Sequence, residues 1–490
     1  MADPLDAILA SMAAATGNAS PPPAPKPAKP AKLLPAQPSS GAGSIALASS
    51  SSKKRDREDP SPSTTLSSIW NPQVEMPLDP AVLRKAEAAA SCGNTNINPA
   101  MEISRQQTVR LLCNKIRRAS EDLGINKLPN SVYETWQFTS KLTVAEDDPL
   151  IPHAGSDYSG LFEELRKAGA TKSGAMKKCK ELTRESERLL RKFSQQNFAV
   201  GKKKRVHVAV GEGAMHQLTY GHSSVKLSSA HFAKLREMFA RKNGLEGDGS
   251  TMAPQEQRTF ESALFCLLLP SRSKLRGRVV LMRVVLIWTT NLDWVKAALN
   301  EECFDALLEH FDCKMECFAS PLNCRYSRFC SAFLDTDFAF GGVGSFFDFA
   351  PRSGCFEANP PFIPKLIKRM TDHMTALLDG ADGALAFIVI IPTWQETEVI
   401  STCNGSTHLR IPQKQHGYCE GKQQIRKTRW RIASFDTSVF FWQNAKARIK
   451  WPITEKALES LRVAFKSKQV EERSVLGLRK NGKRVRSAKD

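Results

Sequence analysis

No run of 18 or more apolar residues occurs anywhere in the 490 residues, so there is no candidate for a membrane-spanning helix. The strongest apolar run, 279–288, is short and interrupted by Arg283, and it reads as a buried strand or strand pair. The amino terminus lacks a basic-then-apolar leader, because Asp3 and Asp6 precede a short alanine-rich run. Close Cys-x-x-Cys pairs are missing among the 12 cysteines, and the spacing of Cys313, Cys317, Cys324 and Cys330 matches no common zinc site. Free thiols in a reducing intracellular compartment, with no metal, are the expectation. Neither a P-loop nor a zinc-deaminase signature is present, which removes two other ways of acting on phosphates or bases. Acidic charge is also short: 50 Asp and Glu against 70 Lys and Arg leave a formal net charge of +20. That imbalance favours an anionic partner, with nucleic acid the first candidate and an anionic membrane surface the second.

What is present falls into four stretches. Residues 1–75 are rich in Ala, Pro, Ser and Lys and cannot bury enough apolar surface to offset their ordering entropy, so a disordered tail is expected. Within it, Lys53-Lys54-Arg55-Asp56-Arg57 has the character of a short nuclear-import patch, and the basic flexible tail 466–490 offers a second. Residues 76–290 read as a mostly helical accessory and RNA-binding domain, with helical periodicity over 105–123, 174–193, 228–239 and 259–269. The stretch 294–311 reads as one more helix. The 174–193 helix carries Cys179, Leu182, Leu189 and Phe193 on one face and Lys177, Lys178, Lys180, Arg184, Arg188, Arg191 and Lys192 on the other. Lys202, Lys203, Lys204 and Arg205 follow directly. Solvated charge accounts for any one of these side chains, but their concentration favours phosphate contact for the patch as a whole.

The last folded stretch, 291–465, holds the features that bear on chemistry. At its centre is Asn359-Pro360-Pro361-Phe362, between a hydrophobic segment and a helix expected over 362–378. As four letters this is a common turn. It also meets the needs of methyl transfer to the exocyclic amine of an adenine. Such an amine gives its lone pair to its own ring and is a poor nucleophile until two acceptors hold its hydrogens. The Asn359 side-chain oxygen and the Pro360 carbonyl can be those acceptors. The prolines keep the chain extended and add no competing N–H donor, and Phe362 can stack on the base. No Pro-Cys pair stands at this loop, so the covalent nucleophile of cytosine carbon-5 methylation is missing. Amine methylation needs none.

Upstream, 311–323 reads as a strand running into a tight turn. In a doubly wound sheet such a crossover loop passes a nucleoside ligand at the carboxyl ends of the strands. Glu316, Ala319, Ser320 and Asn323 are candidates to meet the amino-acid part of a methyl donor, and Asp335 or Asp337 its ribose. Ser320-Pro321 stands where a glycine-rich turn is usual. Downstream, 386–391 reads as a strand delivering Pro392 and Trp394 to the pocket wall, where Trp394 is structural or stacks on a base. The polar stretch 401–430, with Arg426, Lys427 and Arg429, is a surface loop or an RNA-contacting lid, and 431–442 a closing hairpin strand.

Together, Glu316-Cys317-Phe318-Ala319-Ser320-Pro321-Leu322-Asn323 and Phe356-Glu357-Ala358-Asn359-Pro360-Pro361-Phe362 resemble the phosphorylated CTD-interacting factor family, cap-specific adenosine N6-methyltransferases. The resemblance covers roughly 310–455. It implies an α/β fold in which a class I, Rossmann-like methyltransferase domain packs against the helical domain, with S-adenosylmethionine as cofactor. It also implies that Asn359, Pro360, Pro361 and Phe362 bind the target adenine. Glu316, Phe318, Ala319, Ser320, Pro321, Asn323, Asp335 and Asp337 would line the donor pocket. The capped 5′ end of mRNA would lie in a basic groove reached by Lys202, Lys203, Lys204, Arg205, Trp394, Arg426, Lys427 and Arg429. A nuclear monomer without membrane attachment is expected. Internal RNA or DNA adenines, or a catalytically silent RNA-binding module, remain alternatives. Animal members carry a WW domain for the polymerase II tail. Trp70 and Trp136 are too far apart to be its two tryptophans, so no counterpart is expected and tail binding is in doubt. The run 276–290 looks unusual for this family.

Overall fold

The computed structural model describes residues 69–466 apart from 93–97, 127, 130–131, 141–147, 154, 156, 199–204, 212–214, 246, 270–296, 397–398, 400–406 and 421–429. Both import-like patches and the unusual 276–290 run, with the apolar segment inside it, lie outside the described residues. No helix among them is long and apolar enough to cross a membrane.

The first half is built from helices α1 (Pro80–Cys92), α2 (Pro99–Asp122), α3 (Val132–Ser140), α4 (Ser159–Lys167) and α5 (Lys172–Ser194). Each long helix starts where its sequence supplies a cap. Asn98 accepts from the Ala100 N–H at 3.0 Å just before Pro99, and Thr171 accepts from the Gly174 N–H at 3.1 Å. The apolar stripes Val109, Leu112, Ile116 and Cys179, Leu182, Leu189, Phe193 meet in one core. An antiparallel meander then interrupts the helices: β1 (His207–Gly211), β2 (Met215–Tyr220) and β3 (Ser223–Ser228). Helices α6 (Ser229–Lys242) and α7 (Pro254–Leu268) close this half.

The basic face of α5 is less free than its sequence suggests. Lys178 pairs with Asp122 and Glu181, Arg188 with Glu185, and Arg191 with Glu187. Helical spacing of acids three and four residues away neutralises part of the patch.

The second half is a mixed α/β layer. Its elements are β4 (Ala297–Ala298), α8 (Glu301–Phe311), β5 (Cys313–Glu316), β6 (Gly354–Ala358), α9 (Pro364–Gly380), β7 (Leu385–Pro392), β8 (Thr407–Ile411), β9 (Gly417–Glu420), β10 (Trp430–Ile432), β11 (Thr437–Gln443), α10 (Ala445–Lys450) and α11 (Glu455–Lys466). Five strands form one sheet in the order β5-β6-β7-β11-β8, and β10-β9-β4 form a small second sheet. Strands β5, β6 and β7 are parallel, and β11 is antiparallel to both β7 and β8. Every residue of β7 and β11 is buried. Ile388 and Ile390 point into a core shared with Phe304, Leu307, Leu461 and Phe465 of α8 and α11. Phe387, Val389 and Ile391 point into another, with Ile367, Met370 and Met374 of α9. The alternation of period two with both faces covered explains the unbroken apolar run of β7.

Three expectations change. The stretch 294–311 is not one helix: Ala297–Ala298 pairs with β9, and Asn300 then starts α8 by accepting from the Cys303 N–H at 2.7 Å. The stretch 401–430, expected as a surface loop or an RNA-contacting lid, contains β8 and β9, with Leu409, Ile411, Tyr418 and Cys419 in the core, because its apolar residues alternate with the polar ones that dominate its composition. The single closing strand over 431–442 is two strands in different sheets, β10 and β11, separated by the 433–436 turn.

At the edge beyond β5, single parallel bridges link Glu316 to Phe329 and Phe329 to Gly342. Gly341 has φ +97°, and a Cβ there would collide with the Ser327 carbonyl oxygen. Gly341→Ala is expected to cost about 2–3 kcal/mol of stability. Gly380→Ala, where a Cβ meets nothing within 4 Å, should be neutral or slightly stabilising. Urea unfolding of the two variants checks this contrast.

Candidate active site

Parallel strands place their carboxyl ends on one edge, and there the candidate residues gather. Strand β5 ends at Glu316, β6 at Ala358 and β7 at Pro392. Thr437 at the start of β11 is in register with both Pro392 and Ile411, so the 433–436 turn lies on the same edge. This is where open α/β sheets bind ligands.

The first residue beyond β6 is Asn359. It is half-buried, its side-chain oxygen is shielded from solvent, and Pro360 and Pro361 are buried. The Ile363 N–H donates to the Pro361 carbonyl at 2.7 Å, closing a three-residue turn that engages this carbonyl and not that of Pro360. Phe362 is half-buried and meets Phe435 edge to face at 6.2 Å, and Phe435 meets Trp394 edge to face at 5.0 Å. Phe435 also stacks on Tyr418 at 5.8 Å. Trp394 is 55% exposed, so an aromatic row runs from the Asn359 loop to the surface. Phe435 escaped the sequence reading because it sits in a short turn, where an isolated aromatic carries no periodicity.

The loop after β5 stands beside it. The Cys317 N–H donates to the Glu357 carbonyl at 2.7 Å, and the Ala319 N–H to the Cys330 carbonyl at 2.9 Å. Ser320 donates to the Asn323 side-chain oxygen from both its N–H, at 2.8 Å, and its hydroxyl, at 2.7 Å. A side-chain clasp thus makes the tight turn that glycines make elsewhere. Ala319, Pro321 and Asn323 are buried, whereas Phe318 is half-buried against Phe346 at 5.2 Å. Asp335 is half-buried and lies 3.4 Å from the Arg105 guanidinium of α2, and Asp337 is buried beside the Thr336 hydroxyl at 3.1 Å. Of the basic positions, Arg205 is exposed, while Lys202, Lys203, Lys204, Arg426, Lys427 and Arg429 lie outside the described residues.

Glu316 does not reach the surface. Its carboxylate is buried and accepts from the Arg325 N–H at 2.7 Å and the Tyr326 N–H at 3.4 Å. Burial pushes its carboxyl up to about 7, against the pull of those N–H groups and of the Lys234 and Arg325 charges. Glu357, its register partner on β6, is raised well above the ordinary carboxylate range by burial and by the Glu316 charge. Two carboxyls this close do not both ionise. Backbone donors around Glu316 favour its charged form, whereas burial and the Glu316 charge disfavour that of Glu357, two residues before Asn359.

Residues 234–421 match the family model described as "Phosphorylated CTD interacting factor 1 WW domain". The matched span includes the 317–324 loop, the Asn359 loop and Trp394. The expectation that no counterpart of that domain is present is thereby overturned. Trp70 and Trp136, on which that expectation rested, both lie well before the matched span. The doubt about polymerase-tail binding rested on the same absence and falls with it. Two curated proteins are also similar. The chain is 40% identical over 180 residues to the mRNA (2′-O-methyladenosine-N(6)-)-methyltransferase of Homo sapiens, covering 35% of this chain and 26% of that protein. It is 34% identical over 263 residues to that of Mus musculus, covering 52% of this chain and 35% of the relative. The chain therefore spans about a quarter to a third of the length of these relatives.

The buried carboxyl pair carries a pH signature. A carboxyl raised in the folded state binds more protons there than in the unfolded chain, so stability falls as pH rises from the ordinary value to the raised one. For Glu316 that window runs from 4.5 to about 7, and Glu357 extends it upward. Glu357→Gln, which keeps the shape and removes the titration, should flatten the fall and stabilise the chain near pH 8 by on the order of 1 kcal/mol. Urea midpoints measured across the range check this; a decline as steep as in the wild type would contradict the assignment.

Proposed function

We propose that the chain is an S-adenosylmethionine-dependent methyltransferase acting on N6 of the adenosine, 2′-O-methylated, that adjoins the 7-methylguanosine cap of mRNA. The observation that carries this reading is the position of Asn359-Pro360-Pro361-Phe362 at the carboxyl end of β6, between the 317–324 loop and the Trp394–Phe435 wall. The names of the two curated relatives supply 2′-O-methyladenosine of mRNA as the substrate, and the family resemblance of the 316–323 and 356–362 strings supplies its place beside the cap.

The finer fold is read the same way: 291–465 as a Rossmann-like, class I domain and 76–290 as the accessory layer. The parallel β5-β6-β7 set and the antiparallel β11 inserted before β8 support it. The residues present suit the donor. Ser331 is buried and its hydroxyl has no hydrogen-bond partner among the described residues. It lies just past the Phe329 bridge, four positions before Asp335. A spare hydroxyl and a half-buried carboxylate at the end of a strand-like segment fit the hydroxyls of a ribose. The 318–323 turn and Asp335 would hold the donor, whose sulfonium supplies an electrophilic methyl group.

The chain's own part is positioning and electrostatics. Phe362 and the Phe435–Trp394 row fix the plane of the adenine by stacking. The Asn359 oxygen and the Pro360 carbonyl accept the two amine hydrogens, which turns the nitrogen lone pair out of the ring and toward the methyl group. The same two dipoles stabilise the positive charge that grows on nitrogen as it is methylated. Neither acceptor is basic enough to keep a proton at neutral pH, so the surplus proton leaves to water. Arg205 and the neighbouring basic positions would contact phosphates, and the import-like patches are consistent with work in the nucleus.

A labelled-donor assay on capped RNAs that begin with A or G tests this. Transfer to the capped A-start RNA alone is expected. Equal transfer to uncapped or internal adenines would move the substrate, and no transfer with normal RNA binding would indicate a silent binding module. Asn359→Ala should lower kcat by about 10²-fold to 10³-fold with RNA affinity within about twofold. Normal turnover by that variant would remove the assigned role.

A further inference from the structure

On α6 the positions His231, Lys234, Leu235 and Met238 follow the spacing of an apolar stripe, and all four are buried. A lysine in that stripe is unusual, since an ammonium loses its hydration there and needs a partner. Lys234 is 3% exposed, and its Nζ donates to the Cys324 carbonyl at 2.9 Å. The N–H of the same peptide group, on Arg325, donates to the Glu316 carboxylate at 2.7 Å. One peptide unit is therefore held at its oxygen by a buried cation from the helical layer and at its nitrogen by a buried anion from β5.

This peptide closes the turn after β5. The Cys324 N–H donates to the Ser320 carbonyl at 2.9 Å, so Cys324 is the far leg of the turn that Ser320 and Asn323 clasp. Charge-assisted bonds at both ends align the peptide dipole between the charges and strengthen each other. The arrangement is also self-consistent: Lys234 is one of the charges that keep the Glu316 carboxyl from rising further. Without the lysine, the buried carbonyl would lose its donor and the Glu316 carboxyl one of the charges that lower it.

We propose that Lys234 is a positioning residue through which the helical layer shapes the methyl-donor pocket, by clamping the Cys324–Arg325 peptide against Glu316. The inference rests on the reading of the 317–324 loop as the donor side of the site. It makes donor affinity a property of α6 as well as of the sheet, although Lys234 itself need touch no ligand.

Calorimetric titration of the full chain with S-adenosylhomocysteine tests this, alongside capped-RNA binding. Lys234→Met, of similar length and without charge, should weaken binding of the donor product about tenfold or more, with RNA affinity within about twofold and a cooperative melt. Lys234→Arg should recover most of the loss, as a merely space-filling role would not require. Wild-type binding with an unchanged Lys234→Met variant overturns the clamp alone, whereas no binding by the wild type overturns the methyltransferase reading and this inference with it. Should Lys234→Met not fold, hydrogen exchange of the wild type decides. Saturation with S-adenosylhomocysteine should slow exchange at the Arg325 and Tyr326 amides and along α6; protection confined to the sheet strands overturns the proposal.

Discussion

Strand β6 runs between two parallel neighbours, β5 and β7, and is buried along nearly its whole length. A strand so placed can deliver its next residue to only one location, the middle of the sheet's carboxyl edge. Asn359 inherits that position from the pairing register, and Pro360 and Pro361 carry the chain onward without the backbone donors that a sheet interior would demand. The loop after β5 and the aromatic wall after β7 arrive on either side of it for the same reason. The candidate site is thus a consequence of parallel pairing, with its side chains set on rigid strand ends.

Parallel pairing also has an electrostatic cost in this chain. It sets Glu316 opposite Glu357 in the buried interior. The structure resolves the conflict asymmetrically. Glu316 accepts backbone N–H groups from the segment that follows the turn, with Lys234 and Arg325 nearby, which favours its charged form, while burial and the Glu316 charge disfavour that of Glu357. A buried anion thereby becomes an organiser of the loop above it. A second buried cation, Arg105, reaches across from α2 to Asp335 and is held on its other sides by Glu102 and Asp148 at 2.5 Å and 2.7 Å. Both cations come from the helical layer and both end on segments after β5. The accessory half is therefore joined to the candidate site by charge as well as by apolar packing such as Phe239 against Phe340 at 6.3 Å.

Much of the architecture was legible locally. The helices α2, α5, α6 and α7, the strand β7 and the helix after Phe362 follow from apolar spacing, caps and prolines, which are properties of neighbouring residues. The failures have a common cause. Strands β8 and β9 were hidden in a stretch whose composition is polar, because each is short and buries only a few apolar residues. The two-residue β4 exists solely by pairing with β9. The meander β1–β3 in a region read as helical was foreshadowed only by the alternation over 206–210.

By itself the sequence determined the chemistry on offer: an amide, two prolines and an aromatic ring in one loop, an acidic and serine-asparagine turn upstream, and an excess of positive charge. These are contiguous or compositional features, and they survive without knowledge of contacts. Only the tertiary structure decided that the two loops share an edge, that Phe435 joins Phe362 to Trp394, and that the buried Glu316 carboxylate accepts from the Arg325 and Tyr326 N–H groups. It also decided that Lys234 and Arg105, unremarkable in a basic chain, are buried. The reason is physical: hydrogen-bond capping and apolar periodicity act over a few residues, whereas burial, and the pairing of charge that burial demands, depends on segments that meet from far along the chain.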